Sequence, residues 1–423
     1  MFVASSALAQ PQWSLLTSSP YNDYRSEDIS FTDPETGWAV NGDGDVFQTT
    51  DSGTTWIRMA SLNGYLRSTA FASQDLGWIG VLRSETQLYE TRDGGQSFQD
   101  ITSRIQPAIQ GGICSLFAVS DQVVYGAGQF NSPAYLIKTT DGGQTWTSTS
   151  LAPLLNTAID VYFFDENRGL AVGGVGLYGS DQIRARVIGT EDGGTTWTVR
   201  HTSDVPISWG WKLSFPTPEV GYMSIESYVQ DVNAYILKTS DGGQSWQQIG
   251  ISNAGSSGDM QGIGFLTPDI GWVSGRGVIS MTTDGGGTWT RLNATNQLDG
   301  NVNRFRFLDG GLGFASGHNI HRLDARVTAS DSEADDGWGF VSVQPNPVAS
   351  TAQIRYRLAA PSQVRIEVVD LLGRTVATLV DGAERAGDQG VEWDIAAEHP
   401  AGLYLVRLQA DGREWTQRLV VTR

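Results

Sequence analysis

Residues Thr139–Trp146 read TTDGGQTW, and close copies recur at 49–56 (TTDSGTTW), 91–98 (TRDGGQSF), 190–197 (TEDGGTTW), 239–246 (TSDGGQSW) and 282–289 (TTDGGGTW). Each copy keeps a Thr two before the Asp, a Gly two after it, a hydroxyl residue four after and an aromatic five after. Asp-Gly-Gly lies between strand-like runs, AYLIKTT before and TWTSTS after. This is tight-turn chemistry: the carboxylate accepts from backbone amides just ahead, and glycine supplies the positive φ. A calcium loop would gather several oxygen ligands, whereas each copy offers one carboxylate. Asp51, Asp93, Asp141, Asp192, Asp241 and Asp284 are therefore read as structural corners.

The corner resembles the Asp-box (BNR) repeat of sialidase-like β-propellers, where it joins the outer two strands of a blade. The Asps stand 42, 48, 51, 49 and 43 residues apart, a period suited to four-stranded blades. A second landmark precedes each box: a Phe and, six residues on, a Gly followed by a large apolar residue. It appears as FTDPETGW (31–38), FASQDLGW (71–78), Phe163 to Leu170, FPTPEVGY (215–222) and FLTPDIGW (265–272), with a degenerate third copy from Phe117 to Val123–Val124. A seventh copy, FLDGGLGF (307–314), has no box after it. The strand it lacks is expected from PQWSLLTSS (11–19), which resembles the run after each box and would close the ring without exposed edges.

After Arg326 the sequence turns polar and acidic (VTASDSEADDGWG), a linker composition. Alternation then returns in QIRYRL, QVRIEVVD and GLYLVRLQ, with turns at Leu372–Gly373 and Asp411–Gly412. The fold class expected is all-β: a seven-bladed β-propeller (11–326), a linker (327–343) and a small Ig-like β-sandwich (344–423). The tail resembles the type A C-terminal sorting domain of the type IX secretion system of Bacteroidota-like bacteria, through PNP (345–347), Ile366–Val376, GLY (402–404) and RLVVTR. That resemblance implies the secretion machinery as a partner and a secreted or cell-surface location, reached through the periplasm of a Gram-negative cell. MFVASSALAQ (1–10) ends in Ala7-Leu8-Ala9 and reads as the remnant of a signal peptide. No later apolar run reaches the length of a membrane-spanning helix.

The net charge is −18, about −17 of it before residue 344, which excludes nucleic acid as a partner. Cys114, the single cysteine, rules out internal disulfides and reads as a buried apolar residue. GVGLYG (174–179) is followed by a strand pattern rather than a helix, so it is a loop and not a dinucleotide motif. His318 and His321 alternate with apolar residues and lack a third ligand nearby, NGDGDVF (41–47) falls where a hairpin turn is needed, and no metal or cofactor is expected. The Phe-Arg-Ile-Pro motif, arginine cluster and Tyr–Glu pair of sialidases are not matched. The chain overall is similar to the photosystem II stability/assembly factor-like family, whose members are non-catalytic binding proteins. The expected function is thus an exported, non-catalytic scaffold for a partner protein or glycan, the alternative being a cell-surface glycoside hydrolase. Loops leading into the innermost strands carry Tyr24, Arg25, Tyr65, Arg67, Trp209, Trp211, Lys212 and Arg304. These residue types dominate binding hot spots, and their shared mouth is the expected site for an anionic or carboxylate-bearing ligand.

Overall fold

The landmark spacing has a steric cause. Phe31 pairs with Gly37 across the hairpin between Ser26–Phe31 and Gly37–Asn41, and a Cβ on Gly37 would stand 2.5 Å from the Phe31 ring. The same holds for Gly77 on Phe71, Gly169 on Phe163, Gly221 on Phe215 and Gly271 on Phe265. With its own hairpin bare beneath it, each ring offers its other face to the preceding sheet. Trp38 stacks on Phe71 at 3.7 Å, Tyr222 on Phe265 at 3.4 Å and Phe314 on Phe31 at 3.9 Å between ring centroids. Tyr125 of the degenerate unit still reaches Phe163, at 3.5 Å. A pattern visible as spacing is thus a chain of contacts between consecutive sheets.

The computed structural model describes residues 13–16, 18–20, 24–128, 133–177, 180–229, 234–252, 259–292, 298, 301–308, 311–324, 339–344, 348, 350–369, 375–396, 399 and 402–421. The chain divides into two compact units, Gln12–Asp324 and the tail from Ala325. Among the described residues the first unit holds seven sheets. Their inner strands, in chain order, are Ser26–Phe31, Tyr65–Phe71, Ser115–Ala118, Thr157–Phe163, Ser208–Ser214, Met260–Phe265 and Arg304–Leu308. Each touches the next, and the last touches the first, so the ring closes. Trp13–Leu15 completes the seventh sheet by pairing antiparallel with Ile320–Asp324, Trp13 opposite Leu323. Trp13 is buried edge-on against Trp272 and Phe305, which anchors the closing strand by apolar burial as well as by its ladder. Apolar clusters fill the spaces between consecutive sheets. The third sheet carries one strand the sequence reading lacked: Ile105–Gln106 runs parallel to Trp146–Ser150, a two-residue strand too short to show alternation.

The corners follow one plan. Thr139 Oγ1 donates to Asp141 Oδ1 (2.8 Å) and accepts from Gly143 N (2.9 Å), while Thr145 N and Oγ1 donate to the two Asp141 oxygens (2.9 and 2.6 Å). The same bonds recur at Asp51, Asp93, Asp192, Asp241 and Asp284. Gly142 and Gly143 take φ of +66° and +84°, a region closed to most side chains. Gly142 N reaches back to Gln122 O in the inner hairpin of its own sheet (3.1 Å). Donors from the preceding stretch of chain cap the glycine carbonyls: Trp38 Nε1 on Gly94 (3.0 Å), Lys138 Nζ on Gly193 (3.1 Å) and Lys238 Nζ on Gly285 (3.0 Å). The bonds from Ser97 bring the Asp93 carboxyl down to about 2, and those from Thr196 do the same for Asp192. Each carboxylate is thus engaged within its own turn.

The tail has two antiparallel sheets: Gly339–Gln344, Thr351–Leu358 and Gly387–Asp394 form one, and Thr375–Glu384, Ser362–Val369, Gly402–Ala410 and Arg413–Val421 the other. Their apolar residues, among them Ile354, Tyr356, Ile366, Trp393, Tyr404 and Leu419, form one core. The expected linker is corrected at its end. Gly339–Gln344 pairs with Thr351–Leu358, and buried Val343 draws it into that core. The Asp411–Gly412 turn is present, with both residues at positive φ. Ala7-Leu8-Ala9, most of the 327–343 linker, residues 345–347, the Leu372–Gly373 turn and the sequence NAT (293–295) lie outside the described residues.

Candidate functional site

The antiparallel order within each sheet places the start of the inner strand and the turn from second to third strand at one end. The corners lie at the other. At the first of these ends the inner hairpins slip register in five sheets, between Ser26 and Asp28, Leu66 and Ser68, Ala158 and Asp160, Gly210 and Leu213, and Met260 and Gly262. A bulge puts an extra residue on the strand and re-aims its side chain. The residues at that level are Glu27, Arg67, Cys114, Ile159, Trp211, Gln261 and Asn303, followed by Asp28, Ser68, Ser115, Asp160, Lys212, Gly262 and Arg304. No two sheets carry the same pair.

These side chains form a buried ionic network that ties the ring together. Arg304, from the seventh sheet, makes a bidentate pair with Asp160 of the fourth (2.9 and 3.1 Å) and donates Nε to Asp28 of the first (2.9 Å). Ser115 Oγ and Leu213 N also donate to Asp160 (2.7 and 3.0 Å). Glu27 accepts from Arg25 (3.0 and 3.1 Å), Arg67, Tyr65 and Asn303. Trp211 Nε1 donates to Asn303 Oδ1 (3.2 Å), and the Arg67 guanidinium lies over the Trp211 ring. Burial alone would raise the Glu27 carboxyl, but Arg25 and Arg67 bring it down to about 2. Burial opposes ionisation of Asp160 too, and Arg304 and Lys212 hold it well below the usual carboxylate range. Burial and then Glu27 push the Tyr65 phenol up to about 12.

A rim sits above this network, buried at Gln261 and Glu226 and open at its outer aromatic and arginine groups. Arg25 Nη1 donates to Gln261 Oε1 (2.7 Å), Gln261 Nε2 to Glu226 Oε1 (2.8 Å) and Tyr228 Oη to the same oxygen (2.9 Å). Arg276 then stands 3.5 Å from Tyr228 Oη, and on the opposite flank Arg83 covers the Tyr65 ring. Tyr24 and Tyr228 are each 48% exposed, and Arg83, Arg276 and Leu177 are exposed as well. Tyr228 packs edge-on against Trp209. Three non-glycine residues in these loops, Arg83, Ile207 and Asn301, have positive φ. For β-branched Ile207 that conformation is costly and persists only where its surroundings enforce it.

The eight residues expected at the mouth are divided by the structure. Tyr24, Arg25 and Tyr65 lie at the rim. Arg67, Lys212 and Arg304 are buried (Lys212 1% exposed), and Trp209 and Trp211 are each 7% exposed. The binding role expected of those five is corrected. Three are counter-ions for acids that the sequence reading overlooked, Glu27, Asp28 and Asp160, and the two tryptophans pack with Ile159 and Ile183. Arg83, Glu226, Tyr228 and Arg276 were also missed. The axis had a usable signal: six of its seven residues sit four positions before the landmark Phe. Cys114 is fully buried, with its thiol pushed up to about 11 by burial. His321 is buried within its strand, and among the described residues no three His, Cys, Asp or Glu side chains group as metal ligands. The groove between the fifth and sixth sheets, lined by Lys238, Trp246 and Asp284, lies among the corners, where Lys238 is held by Gly285 O.

Comparison with known proteins agrees with this architecture. The family of the photosynthesis system II assembly factor YCF48 matches residues 152–264, and the secretion system C-terminal sorting domain matches 342–422. The photosystem II assembly lipoprotein Ycf48 of Picosynechococcus sp. is 28% identical over 313 residues, covering 71% of this chain and 85% of that protein. A solved structure of YCF48 bound to D1 peptide superposes with a TM-score of 0.56 at 20% identity, over 75% of this chain and 98% of that one. The GH74 xyloglucanase of Xanthomonas campestris gives 0.53 at 11% identity, over 96% of this chain and 75% of that one. At such identities both superpositions speak to fold alone. No helix among the described residues is long and apolar enough to cross a membrane. The chain is a β-propeller similar to the photosystem II assembly factor YCF48 over residues 152–264, followed by a tail that matches the secretion system C-terminal sorting domain.

Proposed function

We propose that this is an exported, non-catalytic binding scaffold that captures a partner protein or glycan at the rim above the sealed axis. The observation that carries the reading is the rim itself: Tyr24, Tyr228, Arg83 and Arg276 are exposed on a fixed ionic floor, at one end of a strongly acidic chain. Aromatic and arginine side chains held on a rigid base lose little entropy on binding, which is why they make hot spots. Two exposed guanidinium groups, Arg83 over the Tyr65 ring and Arg276 at 3.8 Å from Asp259, select carboxylate-bearing or otherwise anionic ligands against that acidic background. The related YCF48 was solved with a peptide bound, which supports a propeller of this kind acting as a peptide receptor. The sorting tail supports delivery to the cell surface or beyond.

The experiment is a screen of carboxylate-bearing peptides and glycans against the intact chain and against Tyr228→Ala/Arg276→Ala. Loss of about 2 kcal/mol of binding, roughly thirtyfold, at unchanged melting temperature supports the rim. Unchanged affinity in the double variant removes it.

The hydrolase alternative has one observation in its favour. Glu226 and Asp259 face each other across a β-bridge between the fifth and sixth sheets, and burial raises both carboxyls. Against it, Glu226 is buried and already bonded to Gln261 and Tyr228. Release of sugar by the intact chain, abolished in Glu226→Gln, would establish this alternative in place of the scaffold.

A further inference from the structure

At the axis every carboxylate oxygen is occupied, and one cation is left over. Asp160 accepts four hydrogen bonds, from Arg304 twice, Ser115 and Leu213, which fills its lone-pair sites. Asp28 accepts from Ile29 N, Thr69 N and Arg304, and Glu27 is surrounded by Arg25, Arg67, Tyr65 and Asn303. Lys212 is 1% exposed, and among the described residues its ammonium has no hydrogen-bond acceptor. Its approach to Asp160 Oδ1 is 3.8 Å, an ion pair without a bond. A buried ammonium with three unmet donors is costly unless something accepts from it.

Charge points the same way. Arg25, Arg67, Lys212, Arg304 and Arg306 face three carboxylates, Glu27, Asp28 and Asp160. The next acid along, Glu226, lies further out, bonded to Gln261 and Tyr228, so even with it the cations outnumber the carboxylates. The axis of a chain with net charge −18 is locally cationic. Glycine and serine at Gly262, Ser68 and Ser115 keep three of the seven positions at the Lys212 level short.

We infer that the propeller axis binds a small monovalent anion of halide size, held by the Lys212 ammonium inside the ring of inner strands. The anion accepts the donors that Asp160 has no lone pairs left to take, and it offsets the surplus guanidinium charge. It is distinct from any rim ligand, because the network of Glu27, Arg67 and Trp211 lies between the two.

The groups facing Lys212 are Asp160 and Arg304, with Arg67, Asp28 and Cys114 further off. Burial and Arg304 push the lysine down to about 7, against the pull of Asp160. Anion binding requires the charged form, so affinity should be highest on the acid side and weaken about tenfold per pH unit above the lysine's pKa. The test uses the full chain with chloride replacing gluconate at constant ionic strength, read by melting temperature at pH 6 and pH 9. Chloride should raise the melting temperature saturably at pH 6, much less at pH 9, and not at all in Lys212→Met. Bromide soaked into crystals of the unmodified protein should give an anomalous peak within hydrogen-bond distance of Lys212 Nζ, a result independent of whether the variant folds. No chloride effect at pH 6, or water in place of bromide at that position, overturns the inference.

Discussion

The two ends of the propeller solve opposite problems. At the corners, one arrangement of Thr, Asp, Gly and hydroxyl is used six times, and each copy satisfies its own polar groups locally. At the axis, each sheet contributes a different residue pair, and satisfaction is collective: Arg304 of the seventh sheet is matched by Asp160 of the fourth and Asp28 of the first. Loss of one corner should therefore stay local, whereas loss of one axial charge strands partners in other sheets. Repetition marks scaffolding here, and the non-repeating level marks where this chain differs from a generic ring.

The largest effect is expected from Arg304→Met. Two buried carboxylates, Asp28 and Asp160, would lose their shared counter-ion, and breaking a buried pair from one side costs about 3–5 kcal/mol. Chemical denaturation should show it, and a cost below about 1 kcal/mol would mean the axis is wet enough to screen its charges. Acid separates the same pairs. The folded Glu27 carboxyl sits near 2 rather than its ordinary 4.5, so its contribution is complete above pH 4.5 and is lost as pH falls from there toward 2. Urea unfolding between pH 5 and pH 2.5 should lose stability steeply, and Glu27→Gln should start lower at neutral pH and fall less.

Smaller effects belong to the repeated elements. Gly77→Ala drives a Cβ to 2.5 Å from the Phe71 ring, an overpacking fault worth about 1–3 kcal/mol. Asp141→Ala removes three hydrogen bonds from one exposed turn and should cost roughly 1–2 kcal/mol while leaving ligand binding unchanged. If Asp141→Ala costs as much as Arg304→Met, the contrast between local and collective satisfaction fails.

The same contrast explains what was legible in the sequence. Phe31-to-Gly37 spacing and Asp-Gly-Gly corners are enforced by short-range sterics and recur, so they can be read from one chain. The closing strand at Trp13 was legible because it copies the run after each box. The partners of Arg67 and Arg304 were not, because Glu27, Asp28 and Asp160 are brought to them by ring closure across 40 to 276 positions of sequence. Nothing local distinguishes Asp160 in AIDVYF from a solvent-facing acid. Register slips hid the level further, since a bulge breaks the alternation by which an inward residue is recognised. Exposed Tyr228 and Arg276 lay in second-to-third turns, which the reading of inner-strand loops did not include.

The smallest effect on the fold is expected from removing the tail. Ring closure is made by Trp13–Leu15 within the unit Gln12–Asp324, and the propeller's apolar clusters all lie inside that unit. The tail has its own core. Since Gly339–Gln344 pairs with the tail strand Thr351–Leu358, a clean truncation must fall before residue 339 rather than at 344. Deleting 339–423 should shift the propeller's unfolding by no more than about 0.5 kcal/mol, the range of a change that touches no buried feature. The same deletion should stop the protein at the periplasm when it is expressed in a host with a type IX system. A truncated chain that melts normally and still reaches the cell surface would show that residues 342–422 are not its export signal. One that melts far lower would show that the two units are energetically coupled.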